Sequence, residues 1–169
     1  MTQREPLRVI GVRHVGLSAR DPAALAEFYQ DVLGLQVVPV DASALGATAF
    51  LSSRPAEVPV DLALFANPAL QHTAFEVRSL ADLRAFHRRV VGRGVPVKTA
   101  LNHGVSLSFY FDDPEGHLIE VYWLTGVACR PLHGDPIDLA WSEETLRRDV
   151  AELAARAGAS SPPLRRCVE

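Results

Sequence analysis

One spacing runs through most of this chain. His14 and His72, Leu25 and Leu83, Phe28 and Phe86, and Gly34 and Gly92 are each 58 positions apart. A histidine, two apolar helix positions and a glycine at a helix end do not fall into one register by accident, so the chain carries a tandem repeat. Each copy is a supersecondary unit that cannot bury its apolar face alone, and the two copies must therefore pair.

The pattern inside each copy sets the element order. Leu7 to Leu17 alternates as a strand, with Val15 and Leu17 on one face and Val12, His14 and Gly16 on the other. Asp21-Pro22 then opens a helix, because Asp caps well and Pro is tolerated at the first helical position. Leu25, Phe28, Tyr29 and Val32 form its apolar stripe and Gly34 is its stop. Strand candidates follow at Leu35–Val40, Ala47–Ser52 and Val58–Phe65. The second copy reads as a strand over Gln71–Val77, a Ser79-capped helix ending at Gly92, and strands at Val95–Thr99, Ser106–Phe111 and His117–Trp123.

The expected fold is α+β. Two tandem βαβββ modules, about 8–66 and 70–124, form curved mixed sheets around a metal-containing cavity within a domain spanning 1–125. The remainder, 126–169, reads as a Gly- and Pro-rich loop over Thr125–Leu139, a helix and a frayed tail. Ser142 is the helix N-cap, Leu146, Val150 and Leu153 its buried stripe, and Gly158 its stop.

Charge and cysteine usage narrow the partners. The 169 residues carry a formal net charge of -3, with Lys98 the single lysine, so no basic patch points to nucleic acid. Cys129 and Cys167 do not form a metal or redox spacing, the first residues lack a signal-type apolar core, and no apolar run reaches membrane-spanning length. A cytoplasmic protein with no membrane partner is the expectation.

Within Phe109–Trp123, Glu120 is the only carboxylate of the second strand and sits among apolar and aromatic neighbours. A half-buried carboxylate there needs a partner to stay ionised. His14 and His72 are repeat mates on the first strand of each module. When the modules face one another, two imidazoles and one carboxylate converge, the facial arrangement of non-haem Fe(II) sites with open positions.

The motifs R-H-V-G-L at 13–17, F-Y-Q-D-V-L-G-L at 28–35, H-T-A-F-E-V at 72–77 and F-D-D-P-E-G-H-L-I-E at 111–120 resemble those of the vicinal oxygen chelate superfamily. That group includes glyoxalase I, bleomycin-binding proteins, fosfomycin-resistance thiol transferases and type I extradiol dioxygenases. The resemblance implies a fourth ligand on the last strand of the first module in glyoxalases. The repeat offset from Glu120 lands on Leu62, with Asp61 adjacent on the opposite parity, so three ligands are read and glyoxalase is disfavoured.

Among three-ligand members, Asn102 to Tyr110 is similar to the extradiol dioxygenases, and the chain's size, together with the lack of a histidine between His14 and His72, is similar to small single-domain enzymes of the L-DOPA dioxygenase kind. The resemblance implies Tyr110 as a hydrogen-bond partner of a catechol and His103 as a pocket residue that serves as an acid/base group or steadies bound oxygen. One departure is that no histidine lies between His14 and His72, where two-domain extradiol enzymes place a catalytic one. The implied cofactor is Fe(II), with Mn(II) the alternative, and O2 the co-substrate. The implied partner is a small aromatic diol, and the assembly a homodimer.

The rival readings are a Mn(II)-dependent fosfomycin-type thiol transferase, whose cationic phosphonate pocket finds little support in the single Lys98 and a loosely placed Arg130, and a non-enzymatic binding protein. His87 is read as a surface residue, His117 as packed beneath the helix or at the turn, and His133 as a residue of the Pro-Leu-His-Gly loop within reach of the pocket mouth.

Overall fold

The computed structural model describes residues 6–40, 45–127 and 134–157. Its strands are β1 (Gly11–Ser18), β2 (Gln36–Val37), β3 (Thr48–Ser52), β4 (Leu62–Phe65), β5 (His72–Glu76), β6 (Val97–Asn102), β7 (Ser106–Asp112), β8 (Leu118–Leu124) and β9 (Asp135–Pro136). Its α-helices are α1 (Pro22–Leu33), α2 (Leu80–Gly92) and α3 (Glu143–Arg156). Arg130, His133, the Gly158 stop, both cysteines and the tail from Ala159 lie outside the described residues.

The helix ends follow from local hydrogen bonding. The Asp21 carboxylate accepts from the N–H groups of Ala23 and Ala24 at 3.1 Å each, and Gly34 closes α1 in the left-handed region at φ 69°. Ser79 Oγ accepts from the Asp82 N–H at 3.0 Å to start α2. The expected stop at Gly92 is displaced. α2 runs through Gly92, Arg93 caps it, and the left-handed residue is Gly94 at φ 74°.

Strand pairing turns the repeat into one continuous sheet of order β2-β3-β4-β1-β5-β8-β7-β6-β9. The order β2-β3-β4-β1 recurs as β6-β7-β8-β5, and each module closes with the same parallel pair, β1 with β4 and β5 with β8. The modules join edge to edge within one chain through the antiparallel β1–β5 pair. Its register sets His14 opposite Ala74 and Gly16 opposite His72, which places the two histidines about a local two-fold. Between Val12 and His14 the register shifts by one residue, and both residues line the cavity.

The helices cover one face of this sheet, and the other faces the cavity. Leu107, Phe109, Val121 and Trp123 pack with Leu80 and Leu83 of α2 and Leu146 and Val150 of α3. Phe109 is fully buried there, a contribution of about 1.5–3 kcal/mol by side-chain transfer. The smaller cluster under α1 joins Ala26, Leu51, Leu62 and Leu64, with Leu25 and Tyr29 against it.

Phe28 and Val32 depart from their expected place in the α1 stripe and stand 53% and 56% exposed. Their repeat mates Phe86 and Val90 pack against the larger cluster, to which α3 contributes, and the described residues give the first module no counterpart of α3. β9, read as loop from its Gly and Pro content, pairs with β6, and its Pro136 fits an edge strand that need not donate. Among the described residues no helix is long and apolar enough to cross a membrane.

Candidate metal centre

Three neighbouring strands bring the expected ligands together. β1 supplies His14, β5 opens on His72, and β8 carries Glu120 opposite Ala74. His14 Nε2 lies 3.0 Å from Glu120 Oε2 and 3.2 Å from His72 Nε2, and His72 Nε2 lies 3.3 Å from the same oxygen. Three mutually cis donors, each about 2.1 Å from one divalent ion, stand about 3.0 Å apart, so the triad fits a facially bound metal. No other His, Cys or carboxylate joins this group among the described residues.

Electrostatics prepare the ligands. Burial alone would push the Glu120 carboxyl up, but the flanking His14 and His72 outweigh it and hold the group well below the usual carboxylate range. Burial likewise works against a charged His72, yet the Glu120 hydrogen bond and charge, helped by the Leu70 carbonyl, raise its pKa above the ordinary 6.5. The His72 Nδ1–H donates to Leu70 O at 2.7 Å, which fixes the tautomer and leaves Nε2 for a metal.

Gly16 makes room for that ring. A Cβ on Gly16 would stand 2.6 Å from His72 Nδ1 and 2.7 Å from Cε1. Its backbone is not in the positive-φ region, so the demand is for space. Gly16→Ala is expected to weaken divalent-metal affinity about 10- to 100-fold, the range for groups that orient a ligand. Metal titration of the stripped protein checks this, and an affinity equal to wild type would remove Gly16 from the site's construction. The motif R-H-V-G-L contained this residue, but nothing in it marked the glycine as part of the site.

The fourth-ligand position needs a correction of register. β1 pairs with β4 as Gly16 with Ala63, whereas β5 pairs with β8 as Ala74 with Glu120. The counterpart of Glu120 is therefore Ala63 and not Leu62, because the pairing of the two modules differs by one residue. Asp61 consequently shares the cavity face, contrary to its expected parity, and lines the cavity. Its Oδ2 accepts from the Ser53 N–H at 2.6 Å and Ser53 Oγ at 2.7 Å, and it lies outside the ligand group. Three ligands remain, with an alanine where a fourth would stand.

His103 and Tyr110 lie on the wall of the same cavity, about 1060 Å³ in volume, which Phe50, Phe65, Leu101 and Leu118 also line. β6 ends at Asn102, so His103 starts the turn into β7, and its Nε2 lies 3.1 Å from the Tyr110 hydroxyl. Tyr110 is opposite Glu120 in the β7–β8 register, and its ring centroid is 6.0 Å from that of His72. Burial and the adjacent Glu120 charge push the Tyr110 phenol well above its ordinary pKa, which keeps the hydroxyl protonated. Tyr122, not singled out from sequence, packs its ring 5.2 Å from that of His14.

Other candidates sort by position. His87 is half-buried, not a surface residue: its ring meets Phe109 edge-on at 5.3 Å, and burial lowers its pKa. His117 does sit at the β7–β8 turn, paired with Asp113 at 2.9 Å. Lys98 lines the cavity but is held by Asp112 at 2.7 Å.

Comparison with known proteins agrees with this architecture. Residues 11–121 match the sequence profile of the Glyoxalase/Bleomycin resistance protein/Dioxygenase superfamily. Biphenyl-2,3-diol 1,2-dioxygenase 3 of Rhodococcus globerulus is 30% identical over 120 residues, covering 64% of this chain and 60% of that protein. The Mn(II)-bound glyoxalase from Novosphingobium aromaticivorans superposes with a TM-score of 0.57 at 24% identity, covering 89% of this chain and 52% of that one. A halotolerant catechol dioxygenase gives a TM-score of 0.57 at 22% identity, covering 78% of this chain and 43% of that one. The chain thus spans between about two fifths and three fifths of the length of these relatives, and the structural likenesses speak to the fold alone.

Proposed function

The chain belongs to the glyoxalase/bleomycin resistance protein/dioxygenase superfamily, and on that premise we propose that it is an Fe(II)-dependent extradiol dioxygenase that opens the ring of a catechol with O2. The observation that carries this reading is the His103–Tyr110 hydrogen bond set beside a three-donor centre in one cavity. The likeness to a biphenyl-2,3-diol dioxygenase supports the same substrate class.

His14, His72 and Glu120 would hold the ion through Nε2, Nε2 and Oε2. A divalent iron held there would supply Lewis acidity toward the diol and an electron path between the ring and O2. The remaining chemistry belongs to the chain. The protonated Tyr110 hydroxyl would hydrogen-bond a catechol oxygen, and His103, whose Nε2 is 3.1 Å from that hydroxyl, would take up and return the proton that moves during ring opening. Phe50, Phe65, Leu101 and Leu118 would give the ring an apolar wall. Both atoms of O2 enter the semialdehyde product, so no external reductant is needed.

Anaerobic loading with Fe(II), and separately with Mn(II), followed by catechol, L-DOPA or 2,3-dihydroxybiphenyl in aerated buffer tests the reading. Oxygen uptake with a yellow ring-opened product is expected. A fully metal-loaded protein that consumes no oxygen across this panel would overturn it.

A further inference from the structure

The C-terminal helix α3 begins after the span that matches the superfamily profile, which ends at residue 121. It nevertheless reaches the turn that carries His103. Asn102, fully buried at the end of β6, donates through Nδ2 to Asp149 Oδ2 on α3 at 2.8 Å. The same side-chain amide accepts through Oδ1 from the Gly104 N–H at 2.8 Å. One amide therefore ties together the residues on either side of His103 and anchors them to the helix.

The rest of the turn is closed by the strands. The His103 N–H donates to Ser106 O at 2.8 Å, Gly104 takes φ 76°, and Gly104 O accepts from Thr125 Oγ1 at 2.7 Å. These bonds fix the turn against β7 and the end of β8. The bond from Asn102 to Asp149 reaches α3 and holds the same amide whose Oδ1 accepts from Gly104.

We propose that Asp149 is a positioning residue for His103. Acting through Asn102, it fixes the turn that aims the imidazole at the Tyr110 hydroxyl, so α3 is a working part of the site. The inference rests on the ring-cleavage reading only for its kinetic consequence.

The test compares Asp149→Ala with Asp149→Asn in the full metal-loaded chain. Asp149→Ala is expected to lower kcat by about 10- to 100-fold, the scale on which small misplacements act, with KM and metal content unchanged. Asp149→Asn keeps an oxygen acceptor at the same place and is expected to restore most of the rate.

A second reading does not depend on turnover. In zinc-loaded, histidine-labelled protein, the ring signals of His103 should shift or broaden in Asp149→Ala and return in Asp149→Asn, while those of His87 and His117 stay in place. If the wild type cleaves no catechol but the His103 signals respond in this way, the clamp stands and the proposed activity falls. Unchanged His103 signals, or a loss of kcat that Asp149→Asn fails to restore, would overturn the clamp. Should Asp149→Ala not fold, Asp149→Ser, whose shorter side chain withdraws the acceptor, gives the same readings.

Discussion

Alanine at position 72 is expected to leave a folded chain that no longer retains a divalent ion. His72 Nε2 is one of three donors that stand 3.0–3.3 Å apart, so its removal leaves His14 and Glu120 as a two-donor remnant. Loss of a group that only orients a ligand costs about 10- to 100-fold in affinity, and loss of the ligand itself should exceed that. After metal loading and gel filtration, elemental analysis should find roughly one ion per chain in wild type and less than about a tenth of that in His72→Ala. A variant that keeps an equimolar ion and full activity would refute the ligand assignment.

The fold should survive this change because the site lies on the cavity face, away from the Leu80, Leu107, Phe109 and Trp123 cluster that holds the sheet to its helices. In the metal-free chain the raised pKa of His72 contributes stability that is fully present below 6.5 and is lost as pH rises through the folded value. The depressed Glu120 contributes stability above 4.5 that is lost as pH falls through its own folded value. Metal loading replaces the proton that His72 shares with Glu120, so a bound ion should stabilise the fold most where that proton contribution has gone. Alanine at 72 should abolish this metal-dependent gain in Tm.

Much of this was legible in residues 14, 72 and 120, because the repeat offset encodes a local two-fold and strand parity then selects the cavity face. What the offset could not encode is where the two modules differ. A parallel pair can slide by one residue without changing either strand's composition, so the offset of 58 points to Leu62 where the pairing sets Ala63, and it assigns Asp61 to the wrong face. Phe28 and Val32 misled for a related reason. Their spacing matches Phe86 and Val90, but those pack against a cluster to which α3 contributes, and among the described residues the first module has no such helix. Asn102, Gly16 and Asp149 carried no periodic signal, since their importance lies in contacts between residues far apart in sequence.

Removing the His103 imidazole should separate chemistry from metal binding. His103 lies outside the donor triad and reaches the cavity from the β6–β7 turn, so His103→Ala is expected to keep wild-type metal content. A positioned acid/base group contributes about 100- to 10,000-fold, and kcat should fall within that range while KM for the catechol changes little. Tyr110→Phe removes the hydroxyl 3.1 Å from His103 Nε2 and should also lower kcat. If the two act as one proton path, the double variant should be no slower than the slower single variant, because removing either end already disconnects it. Multiplicative losses would instead assign them independent roles. A kcat for His103→Ala within twofold of wild type would leave the imidazole as a wall residue and move the search for the acid/base group elsewhere in the cavity.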